Sequence, residues 1–264
     1  MSKKFGVLTI HGMGNQKPDY ANDLQHNLYQ QLPDAVIKDL SFRSIWYHGD
    51  FQQHQDTVWA NMRESGNPMH QRWLRKFFLN FLSDAATSEF RPGDEESPYR
   101  RIQRTILRNI NALRAELGDA DRPVVVLAHS LGCQIISNYI WDAQQGIGIW
   151  QGQRPSAFQQ LQTTQLMVTS GCNIPLFVSG LEKVEAIRKP NDQFAWYNFY
   201  DRDDILGWPL KPLSKGFPNA YAETVTEDIE INTGLTPLSH SAYWEDDDFV
   251  KPVAGHIRQL HTRL

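Results

Sequence analysis

Hydrophobic positions along the chain fall into two kinds of segment that alternate. Continuous apolar runs, which are typical of buried parallel strands, occupy Phe5–Ile10 and Pro123–Ala128. Four further segments have strand character: Lys38–Tyr47, Thr164–Ser170, Ala195–Tyr200 and Ala222–Asn232. Apolar residues recur at helical spacing in five others: Asp19–Leu32, Gln71–Leu82, Pro98–Leu117, Leu131–Gln144 and Phe249–Leu260. This alternation predicts an α/β fold with a mostly parallel central sheet and helices on both faces.

One stretch departs from this alternation. Between about residues 49 and 98 no simple strand pattern fits, and Gln71–Leu82 is its one strong helical candidate. No internal repeat, low-complexity tract or linker rich in proline, glycine and serine divides the chain. We therefore expect a single domain over residues 1–264, with a helical cap insertion at about 49–98.

The apolar side of this helical candidate has three interpretations. Its members recur at helical spacing: Trp73, Leu74, Phe77, Phe78, Phe81 and Leu82. They would pack on the core, as in most amphipathic helices, or roof a pocket that accepts an acyl chain. Contact with a membrane, in which Arg72, Arg75 and Lys76 meet anionic headgroups, is the least favoured interpretation.

Composition excludes several classes of protein. Hydrophobic residues make up 41% of the chain and charged residues 21%, as in globular proteins. The net charge of −4 gives no basic field that would favour nucleic acid. No signal peptide or membrane span is visible. Only Cys133 and Cys172 are cysteines, and no CxxC or HExxH motif occurs. We expect a cytoplasmic protein without a metal or cofactor; nothing indicates its oligomeric state.

The strongest chemical signal is the segment Ala128-His129-Ser130-Leu131-Gly132. It lies where the apolar strand passes abruptly into a helix, a turn that projects a serine hydroxyl beyond the sheet. Small flanking residues are needed because backbone segments approach closely there, and the helix N-terminus favours negative charge. Ser130 is therefore the candidate nucleophile. The alternative is a serine that only caps the helix, and Cys133 is interpreted as a small packed residue.

This segment resembles the G-x-S-x-G motif of the α/β-hydrolase superfamily, in its lipase and esterase branch, with Ala128 in place of the first glycine. A second segment, His11-Gly12-Met13-Gly14, looks like the H-G-x-G loop of lipases. The resemblance implies an oxyanion hole formed by the backbone N–H groups of Met13 and Leu131. The alternative is an ordinary glycine-rich turn, in which His11 orients the loop.

The resemblance also implies an order along the chain: serine, then acid, then histidine. His240 is the one histidine that follows the acid candidates and is expected in a loop, so it is the candidate base. Five others are interpreted as surface residues: His26, His54, His70, His256 and His261. His129 should point away from Ser130, and His48 precedes the nucleophile. Alternatively, His240 only packs beside Tyr243 and Trp244.

Three aspartates follow the Ala195–Tyr200 strand and compete for the role of the acid. The carboxylate must orient the imidazole and stabilise its protonated form. In the superfamily the acid is often followed by a small residue or proline and then an aliphatic pair. Asp203 fits that pattern best, ahead of Ile205 and Leu206; Asp204 is second and Asp201 third.

These motifs together predict a serine hydrolase that cleaves a carboxylic ester, or a related acyl bond in a small molecule, through an acyl-enzyme. A thioesterase, an acyltransferase or a peptidase would use the same residues. A binding protein on an inactive hydrolase scaffold is a further alternative. A dinucleotide-binding protein is disfavoured, because Lys17 stands where the glycine-rich loop needs its third glycine.

Overall fold

The computed structural model describes residues 2–12, 16–47, 57–63, 96–215, 221–234 and 239–264. Its six strands are β1 (Phe5–Ile10), β2 (Leu40–Ile45), β3 (Val124–His129), β4 (Thr164–Ser170), β5 (Ala195–Tyr200) and β6 (Glu227–Glu230). They form one sheet in the order β2-β1-β3-β4-β5-β6, and every neighbouring pair is parallel. The protein is therefore an α/β protein with an all-parallel sheet.

Helices connect the strands and cover the sheet. They are α1 (Asn22–Gln31), α2 (Asp34–Asp39), α3 (Pro98–Glu116), α4 (Leu131–Gln145), α5 (Ile174–Val178), α6 (Ser239–Ala242) and α7 (Asp247–His261). Three short 3₁₀ helices occupy Gly148–Trp150, Lys211–Lys215 and Tyr243–Glu245. Residues 57–63 are also helical. Among the described residues, no helix is both long and apolar enough to cross a bilayer.

The two most apolar strands, β1 and β3, are neighbours in the interior of the sheet. Every residue of β1 is buried, and so are the first five residues of β3. Such runs suit a strand that has neighbours on both sides and helices on both faces. Strand β2 lies beside β1 on one side, and the next described strand along the chain, β3, lies beside β1 on the other side. The carboxyl ends of β1 and β3 therefore flank a reversal of strand order, where α/β sheets place their ligand sites.

A hydrophobic core lies on each face of the sheet. On one face, α3 and α4 pack their apolar sides against β1 and β3, as at Ile106, Ile110 and Ile136. On the other face, α1 and α7 supply residues such as Leu28 and Phe249. Full burial of a Leu, Ile or Phe side chain contributes roughly 1.5–3 kcal/mol. These two layers hold the strand ends in fixed relative positions.

Local signals explain where the helices begin and end. Ser97 accepts a hydrogen bond from the Arg100 backbone at the start of α3, and proline at the first helical position adds to this signal. Gly146 ends α4 in the left-handed conformation, with φ of 69°. Asp246 caps the start of α7 by accepting from the Asp248 backbone.

Most predicted elements are confirmed, and two predicted strands are corrected. Strands β1, β4 and β5 have the predicted bounds. The predicted strand Ala222–Asn232 is reduced to the four residues of β6. Lys38 and Asp39, predicted to begin a strand, belong instead to α2, and α5 was not predicted. Apart from 57–63 and 96–98, the insertion with its helix Gln71–Leu82 lies outside the described residues.

A buried carboxyl joins α3 to α4. The Tyr99 hydroxyl donates a hydrogen bond of 2.6 Å to Oδ2 of Asp142, which is 2% exposed. Burial raises the pKa of Asp142 to about 6, although the Tyr99 hydrogen bond and the charge of Arg100 oppose that rise. Stability should therefore depend on the protonation of this carboxyl.

We expect the contribution of Asp142 to the free energy of unfolding to fall as pH rises from about 4 to about 6. The folded pKa of Asp142 lies above the ordinary value of 3.8, so the folded state holds the proton more tightly than the unfolded chain. The loss amounts to at most about 3 kcal/mol. Asp142→Asn cannot titrate, so urea unfolding of this variant across the same pH range should lose that part of the slope.

Asp121→Asn is the matched control, because Asp121 is an exposed aspartate that pairs with Arg114. It should keep the slope of the unchanged protein. An identical slope in the unchanged protein and in Asp142→Asn would contradict the assignment.

Candidate active site

Ser130 occupies a strained turn between β3 and α4. Its φ of 54° and ψ of −127° lie in a region that residues with a side chain seldom adopt. Such a conformation costs on the order of 1–3 kcal/mol and persists only where the surroundings impose it. The Ser130 N–H donates to the carbonyl of Ser170 at 2.9 Å, which ties the turn to β4. The serine side chain is thereby held at the carboxyl edge of the sheet.

Two glycines permit the close contacts around this turn. A Cβ atom on Gly132 would lie 2.5 Å from the carbonyl oxygen of His11 and 2.7 Å from that of Ile10. A Cβ atom on Gly12 would lie 2.4 Å from Cβ of Ser130. Both separations are shorter than any van der Waals contact, so the loop after β1 reaches the serine only because these positions are glycine.

His240 is placed between the serine and a carboxylate. Its Nε2 lies 2.7 Å from Oγ of Ser130. Its Nδ1 lies 2.8 Å from Oδ2 and 3.0 Å from Oδ1 of Asp204. A carboxylate can only accept, so Nδ1–H donates to Asp204 and the lone pair of Nε2 faces the serine hydroxyl. The structure thus brings Ser130 and His240 together as the sequence predicted.

The carboxylate beside His240 belongs to Asp204 and not to Asp203, which the sequence favoured. The turn after β5 explains the difference. Asp201 Oδ1 accepts from the Asp203 N–H at 2.8 Å, and the Asp204 N–H donates to the Asp201 carbonyl at 3.1 Å. This tight turn leaves Asp203 exposed and directs Asp204 inward, where it is 4% exposed. Because Asp203 and Asp204 are adjacent and both precede the same aliphatic pair, the sequence pattern could not decide which of them is the acid.

Asp204 is held in its charged form by its partners. Burial by itself raises the pKa of Asp204, but hydrogen bonds from His240, Leu206 and Tyr243 outweigh burial, so the pKa is lowered. The Tyr243 hydroxyl donates to Oδ2 at 2.9 Å and accepts from the Asp201 N–H at 2.8 Å. Burial and the adjacent carboxylate raise the pKa of Tyr243, so this hydroxyl stays protonated as a donor.

Asp201 connects the turn after β5 to the segment that carries His240. Its Oδ2 accepts from the Thr233 N–H at 2.6 Å. The Thr233 hydroxyl lies 2.9 Å from the same oxygen and 2.8 Å from the carbonyl of Ser239. Ser239 is the first residue of α6, which contains His240. Asp201 therefore positions the base indirectly, while Asp204 contacts it.

His129 also supports His240, a role that the sequence did not reveal. Its Nε2 lies 2.7 Å from the backbone carbonyl of His240, so Nε2–H is the donor. Burial, and then repulsion from His240, lowers the pKa of His129 to about 3. A neutral ring fits this arrangement, because a second positive charge beside the base would oppose protonation of His240. His240 itself lies in the short helix α6 and not in the predicted loop.

The two predicted oxyanion-hole residues have different outcomes. Leu131 is the first residue of α4, where backbone N–H groups have no partner within the helix. Its role in an oxyanion hole stays a prediction. Met13 lies outside the described residues.

His11 braces the loop after β1. Its Nδ1 lies 2.7 Å from the carbonyl of Gly12, so Nδ1–H donates to that oxygen. Its ring stacks on Tyr47, with centroids 4.2 Å apart and planes at 6°. The Tyr47 hydroxyl lies 3.1 Å from the carbonyls of both His11 and Gly12 and donates to them. These contacts suit a residue that orients the loop.

Two cavities lined by described residues bear on the position of the site. One of about 190 Å³ borders the site at His11 and His129 and is also lined by Tyr20 and Trp244. The other, of about 750 Å³, lies between α3 and the connection from α4 to β4, with Arg100, Arg104 and Arg154 in its wall. The larger cavity contains none of the residues around Ser130, so its size does not mark the candidate site. The described residues include no cluster of His, Cys, Asp or Glu suited to a metal ion.

Comparison with known proteins adds no assignment to this geometry. No protein-family model matches the chain, and a search of curated proteins finds no match.

The hydrogen bond between His240 and Asp204 should have its own spectroscopic signature. We expect a low-field proton resonance from Nδ1–H of His240 in one-dimensional NMR spectra, because the carboxylate deshields this proton. Asp204→Asn should abolish or strongly shift the resonance, since a neutral amide replaces the charged acceptor.

Asp203→Asn is the matched control, because it removes the neighbouring charge and keeps the contact. It should leave the resonance in place. The opposite pattern, with loss only in Asp203→Asn, would show that Asp203 is the partner in solution.

Proposed function

We propose that this protein is a serine hydrolase that cleaves a carboxylic ester, or a related acyl bond, through an acyl-enzyme intermediate. The observation that carries the proposal is the continuous chain of hydrogen bonds from Ser130 through His240 to Asp204. The chain is built at a strained strand–helix turn, and side chains with these roles are the recurrent solution for activating a serine.

The first half-reaction follows from the orientation of the imidazole. Oγ of Ser130 attacks the carbonyl carbon of the substrate, and its proton passes to Nε2 of His240. The charge that develops on the imidazole is stabilised by Asp204, which is already ionised and aligned with Nδ1–H. His240 then donates the proton to the departing alcohol as the bond between carbonyl carbon and leaving oxygen breaks. Ser130 is left as an ester.

The second half-reaction reverses these roles. His240 accepts a proton from water, whose oxygen attacks the acyl carbon, and then returns a proton to Oγ as the acid departs. The negative charge on the carbonyl oxygen in both steps needs donors that are already in position. The Leu131 N–H at the start of α4 is one, and the resemblance implies the Met13 N–H as the second.

The same features support membership of the α/β-hydrolase fold. The site residues follow the order serine, acid, histidine along the chain, and each comes after a strand of a parallel sheet. We extend the proposal to a helical cap over the site, formed by the insertion at about 49–98. The complete set of hydrogen bonds favours a working enzyme over a binding protein on an inactive scaffold, which has no need to orient His240.

Ser130 should be the one residue modified by a fluorophosphonate probe. Activation by His240 makes its oxygen nucleophilic, so the adduct should appear on the peptide that contains Ser130 in mass spectrometry. Ser130→Ala should abolish labelling and reduce the turnover of p-nitrophenyl butyrate by as much as ~10⁶-fold. Labelling of another serine in the unchanged protein would contradict the proposal.

Asp204→Asn should reduce the turnover number by about 10⁴-fold, because an amide favours the wrong imidazole tautomer and cannot stabilise the protonated ring. The turnover number of the matched variant Asp203→Asn should stay within a few-fold of that of the unchanged protein. Steady-state kinetics on p-nitrophenyl butyrate, with circular dichroism to verify folding, measures both. Equal losses in the two variants would argue against Asp204 as the acid.

A further inference from the structure

Asn173, in the segment between β4 and α5, is an unusual residue. Its side chain is fully buried, at 0% exposure. Neither its amide nitrogen nor its amide oxygen has a hydrogen-bond partner among the described residues. Asn173 is also the residue before α5, but its side chain does not cap that helix. Buried amides nearly always find partners, so Asn173 is an exception that needs an explanation.

The position of Asn173 connects it to the reacting groups. It lies three residues beyond Ser170, whose carbonyl accepts from the Ser130 N–H. Between them, Gly171 lies against the base: a Cβ atom there would be 3.1 Å from Cε1 and Nδ1 of His240. Cys172 lies against the thiol of Cys133 in the first turn of α4. The segment from Ser170 to Cys172 thus surrounds the serine and the histidine, and Asn173 is the residue that follows it.

Asn198, a second buried asparagine nearby, shows what a structural role looks like in this protein. It is also fully buried. It accepts from the Thr169 hydroxyl at 2.8 Å and donates to the Trp208 carbonyl at 3.0 Å and to Asp228 at 2.7 Å. Both the amide nitrogen and the amide oxygen of Asn198 have hydrogen-bond partners, whereas neither atom of the Asn173 amide has one among the described residues. The same amide group therefore has a structural role at Asn198, whereas at Asn173 it has no partner among the described residues.

We infer that Asn173 binds the substrate, and that the acyl group carries a hydroxyl or amide close to the carbonyl that reacts. This inference rests on the proposed hydrolase function. An asparagine amide offers two donor hydrogens and one acceptor oxygen, so its best partner both donates and accepts, as a hydroxyl or an amide does. A plain alkyl chain would leave both sides of Asn173 unsatisfied in the complex.

The surface at the same edge of the sheet suggests the rest of the substrate. Three large apolar side chains there are partly exposed: Leu176 at 39%, Ile205 at 69% and Trp208 at 42%. Leu176 lies in α5 directly after Asn173, and the other two follow Asp204. The substrate class is therefore an acyl compound with a polar group near the carbonyl and an apolar part farther out.

Two esters of equal chain length test the inference, p-nitrophenyl 3-hydroxybutyrate and p-nitrophenyl butyrate. Each kcat/KM is divided by the rate of alkaline hydrolysis of the same ester, which corrects for the intrinsic reactivity of the two esters. The corrected kcat/KM should be about 10-fold or more higher for the hydroxy ester. Asn173→Leu should bring the ratio close to one, mainly through loss of activity on the hydroxy ester. An unchanged ratio in Asn173→Leu, or no preference in the unchanged protein, would overturn the inference.

The matched variant Asn198→Leu separates binding from stability. Asn198→Leu should lower Tm, because it leaves the groups around it without partners, and should keep the substrate ratio. Asn173→Leu should keep or raise Tm, because no hydrogen bond is lost. If Asn173→Leu is too unstable to assay, Asn173→Ala should show the same change in ratio. A Tm loss for Asn173→Leu as large as that for Asn198→Leu would argue for a structural role and against substrate binding.

A binding experiment decides the inference even if the protein hydrolyses no ester. In Ser130→Ala labelled with ¹⁵N, titration with methyl 3-hydroxybutyrate should shift the side-chain amide resonances of Asn173. Methyl butyrate should shift them much less. Equal shifts, or none, would overturn the inference. Hydrolysis that depends on Ser130 but shows no role for Asn173 would leave the proposed function standing, whereas absence of hydrolysis with the expected NMR shifts would refute only that function.

Discussion

The conformation of Ser130 is the constraint around which the candidate site is organised. A backbone with φ of 54° is unfavourable for serine, and the protein maintains it by holding the turn from both sides. On one side the turn is bonded to the end of β4, and on the other the loop after β1 touches it through Gly12 and Gly132. Strand β3 and its neighbours β1 and β4 must therefore lie in register before the serine can take this conformation. Packing of α3 and α4 on one face, and of α1 and α7 on the other, supplies the free energy that keeps them there.

Residues that contact His240 from behind the reacting atoms determine the direction of its imidazole. Asp204 fixes Nδ1, the neutral ring of His129 holds the backbone of His240, and Asp201 joins the turn after β5 to the chain before α6. The turn after β5 and the end of β3, which are distant in sequence, thus both limit the movement of one ring. Tyr243 contacts both aspartates through a single hydroxyl, which donates to the Asp204 carboxylate and accepts from the backbone N–H of Asp201.

Sequence reasoning predicted the class of fold and most strand positions, because uninterrupted apolar runs such as β3 have few alternatives. It also identified Ser130 and His240 as neighbours, since a serine between a strand and a helix and a late histidine are visible as patterns. It chose Asp203 over Asp204 because the direction of a side chain in a tight turn depends on backbone hydrogen bonds, which composition does not encode. Asn173 was missed for a similar reason: only the packed structure shows that its amide has no partner. The short helices α2 and α5 lack enough residues for a periodic signal.

The parallel arrangement of the sheet has a consequence for how the protein folds. Parallel neighbours cannot be joined by a tight turn, so every pairing in this sheet is made across a long connection. The hydrogen bond between Ser130 and His240 joins residues 110 positions apart. Such non-local contacts form late, because the chain loses the entropy of closing large loops before it gains the contacts. A partly folded chain would thus contain much of its helical structure and no organised site, and recovery of the site during refolding would report on completion of the whole sheet.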